Sequence, residues 1–100
     1  MPTLHLHLRE GFVGERVVVH AGDALAFDEP NVRTRTQLGL AATRDVTVPT
    51  GAVALRIELP GRGRTHTVQV NAARTPYVGV SVDAAGEMDV VCTADAFGYV

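Results

Sequence analysis

Two histidines one residue apart stand near the start of the chain, in Leu4-His5-Leu6-His7-Leu8. On an extended strand, residues i and i+2 share a face and lie roughly 6.7 Å apart along it. Two imidazoles so placed can chelate one zinc or copper ion if one or two further ligands converge on them. His20, which closes the run Arg-Val-Val-Val-His, and His66 are the other imidazoles in the chain. His5, His7 and His20 are therefore the candidate metal ligands, and they imply a metal-binding protein or a metal-dependent hydrolase. A plainer alternative needs no metal: His5, His7 and Arg9 form the polar side of a strand whose other side is Leu4, Leu6 and Leu8. The plainer reading is preferred, because no Cys-x-x-Cys or Glu-rich motif accompanies the pair, and no cofactor is assigned on it.

The remaining reactive side chains are read the same way. His66 has the parity of Val68 and Val70, which places it at the rim of a core rather than in a catalytic triad. The single serine, Ser81, lies mid-strand with no partner at triad spacing. Cys92 shares parity with Met88 and Val90 and reads as a small core hydrophobe. Gly-Arg-Gly-Arg, residues 61–64, could grip a phosphate or carboxylate from a hairpin tip. Asp83, Glu87 and Asp89 gather oxygen ligands around another turn, without the spacing of an EF-hand. For both, a solvated turn is the preferred reading. No catalytic residue is assigned.

Composition narrows the classes. One hundred residues make one domain, residues 1–100, able to bury a modest core. Hydrophobic residues are 46% and charged residues 20%, as in chains that fold. The net charge of −2 argues against a nucleic-acid or anionic-membrane binder. All nine basic residues are arginine, which reads as genomic base composition, and they carry no functional weight as a class. One cysteine excludes an internal disulfide, no apolar run is long enough to span a membrane, and no secretory leader opens the sequence. The cytoplasm is the expected location.

The elements that must position these side chains are strands. In 52–59, Ala-Val-Ala-Leu-Arg-Ile-Glu-Leu, Val53, Leu55, Ile57 and Leu59 alternate with smaller or charged residues. Pro60-Gly-Arg-Gly then turns, and Val68 and Val70 point inward on the return strand, a hairpin. A second hairpin joins Tyr77–Val82 to Met88–Thr93 through a turn formed by Asp83 and Gly86. In the first half, residues 3–8 and 16–20 are strands and 11–15 a loop. Residues 24–27 form a further short strand, ended by Asp-Glu-Pro-Asn because Pro30 cannot donate to a ladder. Residues 34–41 and 44–48 are two more segments, and no window is convincingly helical. The expected fold is an all-β, single-domain antiparallel β-sandwich of about seven strands, prealbumin-like or immunoglobulin-like. The missing Trp and cysteine pair argue against an immunoglobulin domain proper.

Val46 to Val70, VTVPTGAVALRIELPGRGRTHTVQV, resembles the hairpins of prealbumin-like (transthyretin-like) sandwiches and of PEGA-like and carboxypeptidase-regulatory modules. In these a strand ending in a Pro-x-Gly turn precedes an alternating strand and its return partner. The resemblance covers a quarter of the chain and implies a sandwich that binds, pairs or braces other domains. The enzymes of that group, which hydrolyse 5-hydroxyisourate, carry a His-Val-Leu-Asp stretch and a Tyr-Arg-Gly-Ser end. Neither is present here, so that activity is not implied.

The leading expectation is a non-catalytic binding or protein-interaction module, acting through a sheet edge or outer face. It would take a protein partner or self-associate as a homodimer, with no nucleic acid and no membrane involved. The alternatives are the metal-dependent reading on His5, His7 and His20 and a small-ligand carrier with its site at a dimer seam. Phe97 and Tyr99, past the last strand, are expected to cap an end of the sandwich or to pack on a second subunit.

Overall fold

A computed structural model describes residues 2–35, 37 and 39–96. Eight strands run in the order β1 (Thr3–Leu8), β2 (Val13–Ala21), β3 (Ala24–Arg33), β4 (Ala42–Thr47), β5 (Ala52–Leu59), β6 (Arg64–Asn71), β7 (Tyr77–Val82) and β8 (Met88–Thr93). They form two four-stranded sheets, ordered β4-β1-β7-β8 and β3-β2-β5-β6. Alternation is what stacks them. Leu4, Leu6, Leu8, Val78, Val80 and Val82 of the first sheet meet Val17, Val19, Leu55, Ile57 and Leu59 of the second in one apolar cluster. No polar or charged side chain is buried among the described residues, so the chemistry of this chain is confined to outer faces and edges.

Both expected hairpins form, β5–β6 and β7–β8, and the first turns through a single 3₁₀ turn at Pro60–Arg62. The strand count is eight rather than about seven, and one pairing is not antiparallel. β1 runs parallel to β7, with Leu6 beside Val78 and Leu8 beside Val80. Three local expectations are also corrected.

First, the loop expected over residues 11–15 ends at Phe12. β2 already begins at Val13, and Phe12 is buried beside it. Gly14, which suggested a loop, occupies a register irregularity at φ +98°, a role glycine takes inside strands. The side chains of Arg33 and Asn31 lie over it, and a Cβ there would sit 2.8 Å from Arg33 Nη2.

Second, β3 does not end before Pro30 but runs through it. The Gly22 N–H donates to the Ala54 carbonyl at 2.8 Å, which turns the even residues of β2 toward β5. Val17 and Val19 then face β3, where Glu29 and Phe27 are their partners. The next residue, Pro30, has its nitrogen on the outer edge, where a missing donor costs no ladder bond.

Third, the described residues of 34–41 form no strand. The described part of this connection holds one isolated bridge, Arg35 to Leu40. Phe97 and Tyr99 lie outside the described residues.

Candidate functional site

The histidine strand is built as its alternation dictates, with Leu4, Leu6 and Leu8 inside and His5 and His7 on the outer face of the first sheet. His5 is set opposite Asp45 of β4, and its Nδ1–H donates to Asp45 Oδ1 at 2.8 Å. Its ring also stacks on Tyr77, with centroids 4.9 Å apart and planes at 24°. His7 meets the same tyrosine edge-on at 6.4 Å. Burial, then the positive charges of His5 and Arg9, hold the His7 imidazole below its ordinary value, against an opposing pull from Asp45.

His20 does not join them. It lies on β2, in the other sheet, at the parity opposite to the buried Val17, Val19 and Ala21. His5 and His20 therefore look out from opposite faces of the sandwich, with the core between them. No group of three or more His, Cys, Asp or Glu side chains able to hold a metal ion occurs among the described residues. His20 Nδ1 instead faces Arg56 Nη2 at 3.3 Å and Glu58 Oε2 at 3.5 Å. The nitrogen accepts from Arg56 when bare or donates to Glu58 when protonated, and cannot do both.

The other sequence candidates are placed as structural groups. His66 stands opposite the fully buried Ile57, half-buried at the rim. Cys92 is half-buried against the core, and burial pushes its thiol up, away from thiolate reactivity. The tip arginines are already engaged: Arg62 with Glu15, and Arg64 with Glu87 at 2.8 Å. Asp83 spends one carboxylate oxygen on the Ala85 and Glu87 N–H groups, each at 2.9 Å, as a turn former rather than a calcium ligand.

The feature best suited to receive a ligand lies where sequence reasoning assigned nothing. β3 and β4 are the edge strands on one open side of the sandwich, and between them runs a cleft of about 600 Å³. Phe27 and Val32 form its apolar floor, each under 5% exposed. Arg44 crosses it, reaching Glu29 at 3.3 Å with its guanidinium 5.1 Å from the centre of the Phe27 ring. Arg33, Arg35, Asn31, Thr34 and Thr43 complete the walls.

The β4 edge of this cleft carries free backbone groups. The Val48 N–H donates to the Pro2 carbonyl at 3.0 Å, in register with the pairing of Thr3 and Thr47. The even residues of β4 therefore face β1, and the N–H and C=O groups of Thr43, Asp45 and Thr47 point outward. On the β3 edge Pro30 removes a donor, so β4 offers the longer uninterrupted row. A sequence signal for this edge exists in Ala42-Thr-Arg44-Asp-Val46, where an arginine takes the parity of buried residues. An inward-pointing charge is tolerated on an edge strand and not in a central one.

No protein-family model, curated protein or solved structure matches the chain. Among the described residues, no helix is long and apolar enough to cross a membrane.

Proposed function

We propose that this protein is a non-catalytic interaction module that accepts an extended segment of a partner protein along the free edge of β4. The observation that carries the reading is the outward row at Thr43, Asp45 and Thr47 beside a cleft with an apolar floor. Main-chain groups of an added strand supply affinity in such complexes, and flanking pockets supply selectivity. Binding is also the habit that the prealbumin-like resemblance implies. We take the cytoplasm as the site of action, a compartment that suits a chain with one cysteine.

The test exploits the two kinds of free edge. Thr43→Pro removes a donor that the ladder with β1 does not use. Thr67→Pro does the same on β6, the edge on the opposite side, where odd residues point outward. Ten-residue peptides selected from a random display library against the wild-type protein should bind the Thr67 variant equally well. They should lose binding to the Thr43 variant. Undiminished binding to Thr43→Pro overturns the proposal, as does a library that yields no binder.

A further inference from the structure

The composition of the cleft specifies the partner further, and this step rests on the strand-addition reading above. Five of the nine arginines reach a carboxylate of their own chain: Arg16, Arg44, Arg56, Arg62 and Arg64. Arg33 and Arg35 reach none among the described residues, and both line the cleft beside β4. With Arg44 they put three arginines along the cleft against a single carboxylate, Glu29, in a protein whose overall charge is −2. Five donors in a rigid fork make each free guanidinium a ready partner for a carboxylate.

We infer that the occupant is an acidic extended segment, whose backbone pairs with Thr43, Asp45 and Thr47 while its carboxylates meet Arg33 and Arg35. Side chains on one face of an added strand recur every second residue. The segment therefore carries Asp or Glu at alternate positions, with a residue between sheets that covers Phe27. Arg44 contributes selectivity. As an inward charge on an edge strand it opposes casual pairing, and the same charge favours a strand that brings a carboxylate. A second copy of this chain fits poorly, because an antiparallel β4–β4 pairing sets Arg44 of both copies in the same seam.

The experiment separates this inference from the reading beneath it. Peptides enriched by the display selection are sequenced, and the tightest is titrated calorimetrically against wild type, the double variant Arg33→Gln/Arg35→Gln, and Thr43→Pro. Acidic residues should be enriched at alternate positions. Affinity for the double variant should fall roughly tenfold, the sum of two solvent-exposed charge pairs. Its dependence on salt should weaken in parallel. Because Arg33 and Arg35 hold no ion pair among the described residues, the variant should keep its fold, which circular dichroism verifies. Binders without acidic enrichment, or equal affinity for the double variant, sink the acidic partner; if Thr43→Pro still abolishes their binding, strand addition stands. Binders indifferent to Thr43→Pro sink both. Sedimentation showing a wild-type dimer that Thr43→Pro dissolves assigns the edge to self-association and overturns the acidic partner.

Discussion

The two open sides of the sandwich solve the same geometrical problem differently. Each is a gap between the edge strands of two stacked sheets, β3 and β4 on one side, β6 and β8 on the other. Each is crossed by one arginine–glutamate pair, Arg44–Glu29 at 3.3 Å and Arg64–Glu87 at 2.8 Å. Beneath Arg64 the inward positions are half-buried Val68, Met88, Val90 and Cys92, packed against the core. Beneath Arg44 the apolar residues are fully covered, and a cleft walled by arginines remains above them. The difference is set by one choice per strand. Where the inward parity of an edge strand continues in apolar residues, the seam fills with side chains. Where an arginine takes that parity inside the strand, as Arg44 does in β4 while Arg64 stands at the very start of β6, the seam stays open.

Substitution at the floor of each side separates these roles most sharply. Phe27→Ala removes a ring that is 3% exposed and should cost about 3–5 kcal/mol. Val68→Ala on the opposite side removes a half-buried side chain and should cost about 1 kcal/mol or less. Urea denaturation of the two variants decides it. Equal losses would mean that both seams are packed alike.

The connections between sheets give the next largest contrast. Gly11 leads from β1 to β2 and Gly51 from β4 to β5, with φ of +89° and +93°. At Gly11 a Cβ would lie 1.8 Å from the Val82 carbonyl oxygen, close to where the Val82 N–H bonds Glu10. At Gly51 nothing lies within 4 Å. Gly51→Ala therefore meets only the left-handed backbone penalty, about 1–2 kcal/mol. Gly11→Ala adds a displacement of backbone, and its loss should reach roughly 3 kcal/mol. Thermal melts that rank Gly51→Ala as the worse variant would contradict the close approach of this connection to β7.

Much of this was legible beforehand and some was not, for identifiable reasons. Residues 4–8, 52–59 and 77–82 alternate strictly, and a slip by one residue would expose every leucine or valine, so their faces were fixed. The role of Pro30 depends on which strand lies at the edge, and that of Gly14 on an irregular register with β3, and neither is written in the local sequence. A proline that breaks a central strand sits without cost on the rim, and sequence alone does not say which strand is outermost. The histidines were placed on the correct face, but their companions are set by strand order, which brings Asp45 and Tyr77 to His5 and keeps His20 a sheet away. The arginines of the cleft were passed over as products of composition. Only the inward parity of Arg44 distinguished one of them.

The cleft side also carries a pH dependence. His7 stands opposite Thr43, and its pKa is lowered from the ordinary 6.5, first by burial and then by the charges of His5 and Arg9. The unfolded chain therefore takes the proton more readily than the folded one. This contribution is fully present above about pH 6.5 and is lost as the pH falls through the lower folded value. His7→Gln should flatten the pH dependence of stability in that window, on top of a constant loss from its contact with Tyr77, as urea midpoints across the range would reveal. A variant with the wild-type slope below pH 6.5 would assign the acid sensitivity elsewhere.

The smallest effects lie in the two crossing pairs themselves, and they bear most directly on why one seam is open. Both pairs are largely solvated, with side-chain exposures of 46% and 50% for Arg44 and Glu29 and of 45% and 61% for Arg64 and Glu87. Screening holds the coupling in each double-mutant cycle to about 0.2–1 kcal/mol, vanishing in high salt. Arg44 has a second function that Arg64 lacks, because its stem and guanidinium cover the Phe27 ring. Arg44→Ala should thus cost more than Arg64→Ala, whereas Arg44→Met, which keeps the cover without the charge, should recover most of the difference. If Arg44→Met is as unstable as Arg44→Ala, the charge and not the cover holds the floor of the cleft. The contrast between the two sides would then lie in electrostatics rather than in which side chains fill the seam.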